Sequence, residues 1–133
     1  MKHGDQNSRK PLVGDRFGCL GVRDREVRLD EDGKVRPDGG GMSVQPAVDA
    51  VPFMFAPRKY GYIIEGAAGD NRLSIWRLGN GSFKNGQIAR LLLLRVTGPK
   101  HGLIEPETTM PLAEFQRALS DTQDRWEVVS WKS

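Results

Sequence analysis

The chain has 133 residues, 38% apolar and 28% charged, a balance that suits one domain with a single modest core. Its longest strongly apolar run, Leu91 to Leu94, falls far short of the roughly 20 residues a membrane-spanning helix needs, and the lone Cys19 excludes an internal disulfide framework. With 16 glycines, 8 prolines and a net charge of +3, the chain is rich in turns and mildly basic without being a polycation.

The opening residues, MKHGDQNSRKP, are polar where a secretory signal carries an apolar stretch, so signal-directed export is not indicated and a cytoplasmic location is expected. Residues 1–14 read as a flexible N-terminus, because a run containing Asp5, Asn7, Ser8 and Pro11 offers little to bury. Residues 15–133 read as one domain. From Arg16 to Val22, RFGCLGV is apolar and interrupted by glycine, which predicts a strand with a close backbone neighbour. Next, VRLDEDGKVRP places Val27, Leu29 and Val35 around Asp32-Gly33, the signature of a hairpin with a DG turn. The run Gly39 to Gly41 reads as a loop delivering Met42, Ser43 and Val44 to a fixed place. Between Ala47 and Lys59, Pro52 and Pro57 frame Val51, Phe53, Met54 and Phe55, predicting an irregular, partly buried crossing.

Three strands are then expected, over 60–65 (YGYIIE), 72–78 (RLSIWRL) and 88–96 (IARLLLLRV). The leucine run also fits a short helix, and strand is the reading adopted. The C-terminal third holds the clearest helix. Pro111 stands at its start, Glu114 in the first turn, and Leu112, Phe115 and Leu119 on one face, with the end near Ser120 to Asp124. After it, WEVVSW alternates as a final strand would. The fold class is therefore α+β: mostly antiparallel strands, about six or seven of them, with one helix near the C-terminus.

Charge is distributed unevenly. Lys+Arg against Asp+Glu is nine to seven over residues 1–37, eight to four over 38–100, and three to six over 101–133. A basic middle can attract a phosphate-bearing ligand, but the basic residues are dispersed and no basic helix, zinc-finger spacing or aromatic-interleaved motif accompanies them. Nucleic-acid binding is disfavoured. Two histidines and one cysteine are too few for a standard structural zinc site, and only a site completed by carboxylates stays open.

Among residues able to do chemistry, His101 leads, because His3 lies in the terminus and imidazole changes charge near neutral pH. It sits in GPKHGLIEP, read as a loop between a buried strand and the helix, where sites are often built. The plainer alternative is a surface histidine bonded to nearby backbone. Ser43 follows three glycines that allow close approach to a ligand, yet GGGMSV lacks both the Gly-Lys-Ser/Thr phosphate-loop ending and the GxGxxG fingerprint. Taken by itself, the run is better read as a flexible linker leading into a strand. Arg16 can hold a phosphate, though it is one of 20 basic residues. Glu105, Glu107 and Glu127 show no diagnostic two-acid spacing. Cys19 reads as packed, and Trp76, Trp126 and Trp131 as core anchors whose polar edge is satisfied.

Taken in order, RFGCLGV, the glycine-rich entry into GMSV, the proline-punctuated crossing and PKHGLIEPETTMPLAEFQRAL resemble the small NAD-dependent cytotoxic effectors delivered by bacterial type VI secretion. The likeness spans roughly residues 16–120 and rests on Met42-Ser43-Val44 and on the spacing of His101, Ile104, Pro106 and Met110. It implies an ADP-ribosyltransferase-like fold and a toxin that binds NAD as substrate and transfers ADP-ribose or hydrolyses NAD. It also implies a cognate immunity protein as partner. In such sites a strand-borne cation grips the phosphates or ribose, a serine or threonine orients the nicotinamide ribose, and a glutamate often stabilises the oxocarbenium-like transition state. By resemblance, Ser43 takes the serine position, His101 the second functional position, and Arg16 the place of the first-strand cation. The departure is that no glutamate sits in a recognisable catalytic motif. The competing expectation is a non-enzymatic protein-binding module, an inhibitor, immunity or accessory protein, using the basic middle and exposed aromatics.

Overall fold

The computed structural model describes residue 11 and residues 13–14, 19–79 and 83–131. Most of the expected flexible terminus and Arg16 lie outside the described residues. Within them, Pro11 is buried and its carbonyl accepts a hydrogen bond from Gln123 Nε2 at 2.7 Å.

A 3-10 turn over Asp24–Glu26 leads into strand β1 (Val27–Leu29), which runs antiparallel to β2 (Lys34–Gly40). The DG turn joins them as its residues dictate. Asp30 Oδ1 accepts the amides of Asp32 and Lys34, both at 2.9 Å, and Gly33 takes the left-handed conformation at φ 74° that side chains resist. On its other side β2 pairs with the two-residue β8 (Met110–Pro111). A second sheet has the order β3 (Met42–Val44), β7 (His101–Pro106), β6 (Leu92–Gly98), β5 (Gly86–Ala89), and β4 (Trp76–Leu78) forms a separate ribbon with β9 (Trp126–Val128). All these pairings are antiparallel.

The one α-helix among the described residues, α1 (Leu112–Ser120), packs nearest β8 and β2 of the first sheet and shares its core with the second sheet. Its Phe115, Ala118 and Leu119 join Leu92, Leu94, Ile104 and Met42 from the sheet, with Val35 and Met110, in the main core. Residues 112, 115 and 119 lie three or four apart, which puts them on one stripe. A smaller cluster forms around Ala56, Tyr60 and Ile64, packed against Ile75, Val129 and Trp131. Tyr60 ties it together: its hydroxyl donates to the Val129 carbonyl at 2.7 Å and accepts the Ile75 amide at 3.0 Å.

The α+β class, the antiparallel bias and the C-terminal helix are as expected, but the described residues form nine strands in three sheets. Residues 19–22 are not a strand. Only an isolated bridge joins Leu20 to Val13, because the Gln116 side chain of α1 takes both the amide and the carbonyl of Val22, at 3.1 and 2.9 Å. Residues 60–65 are not a strand either: after the 3-10 turn Arg58–Tyr60, the amides of Ile63 and Ile64 bond back to the Tyr60 carbonyl. Residues 88–96 are a hairpin, not one strand. It turns at Arg90 and Leu91, where Leu91 has φ 68°, an expensive conformation for a branched side chain that a uniform apolar run does not advertise. The strand expected over 72–78 shrinks to Trp76–Leu78.

The glycine run is also no flexible loop. Gly39 and Gly40 finish β2, and Gly41 is the buried link to β3. A methyl on Gly40 would overlap the Glu26 carbonyl oxygen, and one on Gly41 would overlap that of Ile104. Glycine here lets two chains approach each other, not a loop swing.

Candidate functional site

A cleft of about 1330 Å³ takes its lining from both clusters: Leu20, Met42, Leu94 and Ile104 from the main core, and Val48, Val51, Ile75 and Val129 from the smaller one. Ser43 and His101 both line it. Ser43 reaches it from β3, the edge strand of its sheet, where Met42 turns inward and Ser43 outward, as a period of two requires. His101 is the first residue of β7, not a loop residue, because Gly98 pairs with it across the β6–β7 turn. Its Nδ1 lies 2.7 Å from Thr97 Oγ1, and that hydroxyl is also 3.2 Å from the His101 carbonyl, so the hairpin holds the ring.

Register fixes the relation between the two. Ser43 stands opposite Leu103, so His101 is its diagonal neighbour on the same face, about 7 Å away between Cβ atoms. That separation does not make a nucleophile–base pair. It suits two groups that converge on a ligand lying across both strands.

The sequence gives no hint of the site's carboxylate, Glu26. Its Oε1 accepts the Arg23 amide at 3.0 Å and its Oε2 accepts the amide of Ser43 at 3.2 Å, with Arg23 Nε 3.5 Å from Oε1. The Gly41 amide bonds to the Glu26 carbonyl at 2.9 Å, so backbone and side chain of Glu26 both clamp the start of β3. The carboxylate's grip on Ser43 spans 17 residues and is invisible before folding.

Arg23, Arg25 and Arg77 also line the cleft, and among the described residues Glu26 is the acidic one in its lining. Arg77 is exposed and lies 3.5 Å from Glu127. Anionic ligands therefore meet a net positive wall. Trp76 lines the cleft as well, and its indole Nε1 is buried with no hydrogen-bond partner among the described residues, unlike the satisfied edge expected of it. Trp126 does meet that expectation, its Nε1 donating to Thr122 Oγ1 at 2.9 Å.

The other carboxylates serve structure. Glu105 is buried and accepts Arg95 Nε at 3.0 Å and the Asp38 amide at 3.2 Å, outside the cleft. Arg16, the third expected site residue, lies outside the described residues. Beside α1 a smaller hollow of about 520 Å³ carries Arg90, Arg117 and Arg125 with Glu114 and Asp121, and it contains none of the expected site residues. Among the described residues no three His, Cys, Asp or Glu side chains cluster as metal ligands, and no helix is long and apolar enough to cross a membrane.

Comparison with protein-family models, with curated proteins and with solved structures found no match to this chain.

Proposed function

We propose that this cleft binds NAD and that the chain transfers ADP-ribose from it or hydrolyses it, acting as a toxin of the kind its sequence resembles, with an ADP-ribosyltransferase-like fold. The observation that carries the reading is the meeting of Ser43 and His101, the two residues on which the resemblance rests, on adjacent strands lining one arginine-bearing cleft. Its volume exceeds the roughly 300–1,000 Å³ of small-ligand pockets, which leaves room for a dinucleotide.

In this reading Arg23 and Arg25 neutralise the pyrophosphate, the role the resemblance gives to Arg16. The Ser43 hydroxyl orients the nicotinamide ribose, and His101 contacts the ligand from the neighbouring strand. Glu26, hydrogen-bonded to the Ser43 amide, supplies the glutamate the sequence did not reveal. The bond between the ribose anomeric carbon and the pyridinium nitrogen breaks, and its electron pair leaves with neutral nicotinamide. Positive charge develops on the ribose, where a fixed carboxylate stabilises it. Water or an acceptor nucleophile then bonds to the anomeric carbon and releases its proton to solvent.

The test is inducible cytoplasmic expression of the wild type and of Ser43→Ala, scoring growth, NAD level and ADP-ribose incorporation, with circular dichroism as the folding control. The wild type should arrest growth and either deplete NAD or label protein; folded Ser43→Ala should do neither. Calorimetry showing no NAD binding, or undiminished toxicity of the variant, refutes the proposal.

A second reading, a non-enzymatic module that docks a protein, has its own support in Phe53, Met54, Phe55 and Tyr62, all about half exposed. It predicts a harmless chain that forms a stoichiometric complex, lost in a Phe53→Ser, Met54→Ser variant, without NAD binding. A cognate immunity protein belongs to the toxin reading, and such a surface is where it would dock.

A further inference from the structure

A strand that turns one face to a cavity lines it with every second residue, whereas a strand that turns its edge lines it with all of them. Every residue from Leu73 to Gly79 lines the cleft, so β4 presents an edge to it. Of β9, which holds the other edge of β4, Trp126 alone among the described residues contributes to the lining. The phase of the hydrogen bonds says which backbone groups the free edge carries. The Val129 amide bonds to the Ile75 carbonyl at 2.8 Å, and with Trp76 opposite Val128 and Arg77 opposite Glu127 the ladder continues through Arg77. The N–H and C=O of Trp76 and Leu78 therefore point away from β9, and among the described residues they have no partner.

Two amides and two carbonyls in a row are a template for another strand. Arg77 projects on one face of that edge, and Trp76 and Leu78 on the other. Arg23 and Arg25 join Arg77 in the lining, where Glu26 is the acidic member among the described residues, so the charge that complements the edge is negative. A second copy of this chain, itself at +3, carries the wrong sign.

We propose that β4 takes up an extended acidic segment of a partner protein as a third strand of its ribbon, paired antiparallel through the backbone of Trp76 and Leu78. Side chains of the incoming strand alternate, which sets an acidic residue opposite Arg77 and apolar ones opposite Trp76 and Leu78. The inference stands apart from the NAD reading, which assigns no role to β4.

The test is a nitrogen–proton NMR titration of the full chain, without NAD, with a blocked nonapeptide that alternates valine and glutamate. It should move the backbone amide protons of Trp76 and Leu78 downfield and slow their exchange with solvent. The counterpart with lysine for glutamate should bind at least about 10-fold more weakly, and Arg77→Ala should weaken the glutamate peptide about 2- to 5-fold. In antiparallel pairing only the valines exchange hydrogen bonds with Trp76 and Leu78, so methylating the valine nitrogens should abolish binding and methylating the glutamate nitrogens should spare it. Because the methylated peptides leave the protein unaltered, this arm does not depend on any variant folding. No binding of the valine–glutamate peptide, binding that leaves the two amides unchanged, or equal binding of the two methylated peptides overturns the proposal. Protection of those amides that rises with concentration of the chain alone gives the edge to a second copy and overturns it as well.

Discussion

Replacing Glu26 by alanine should destabilise the protein as well as alter its site. Two amides, those of Arg23 and Ser43, lose a carboxylate acceptor at 3.0 and 3.2 Å, and Arg23 loses an ion-pair partner at 3.5 Å. Hydrogen bonds to charged groups contribute about 1.5–3 kcal/mol when enclosed and less where water can substitute. The Glu26 side chain is 13% exposed, so the Arg23 bond belongs near the lower end of that range, while the Ser43 amide sits at an exposed strand edge and is worth about 0.5–1 kcal/mol. The sum is about 2 kcal/mol. At roughly 3–5 °C per kcal/mol for a domain of this size, the thermal midpoint should fall by roughly 6–10 °C. Glu26→Gln keeps one acceptor oxygen and should lose about half as much. Urea unfolding followed by far-ultraviolet circular dichroism measures both. A Glu26→Ala variant within 0.5 kcal/mol of wild type would show that the carboxylate does not hold β3, and the case for a preorganised acid beside Ser43 would go with it.

Ser43→Ala should behave oppositely, shifting stability by less than about 0.5 kcal/mol because the side chain is exposed, so that any loss of function is chemical. Gly41→Ala should cost at least about 2 kcal/mol in urea unfolding, since its methyl would meet backbone atoms of Ile104 that cannot move without displacing β7 from β3. The Asp70 carboxyl, gripped by Arg72 Nε and Nη2, should titrate at about 2 instead of 3.8 in carbon-detected NMR, and Arg72→Gln should return it toward the ordinary value. Because the folded value is the lower one, the small stabilisation from this exposed pair is present above pH 3.8 and disappears as pH falls toward 2.

Where local chemistry was decisive, the sequence was readable. The DG hairpin follows from an aspartate that caps its own turn and a glycine free to be left-handed, and α1 from a proline start and a stripe of Leu112, Phe115 and Leu119. Reading failed where an element borrows its hydrogen bonds from afar. Residues 19–22 carry strand-like composition, but Gln116 satisfies Val22 from the helix, and four consecutive leucines conceal a turn that the β5–β6 pairing imposes.

The sequence by itself determined the residue types that make a site conceivable: Ser43 behind glycines, His101 in a proline-flanked stretch, and an uneven surplus of arginine and lysine. It could not say that they meet. Their meeting depends on the register of β3 against β7, which sets Ser43 opposite Leu103 and His101 one diagonal step away. It depends equally on Glu26 and Trp76, whose environments are made by partners far along the chain. Strand pairing and burial are long-range properties, fixed by the summed packing of the sheet and helix, and only the tertiary structure decides which polar groups are satisfied and which are left without a partner.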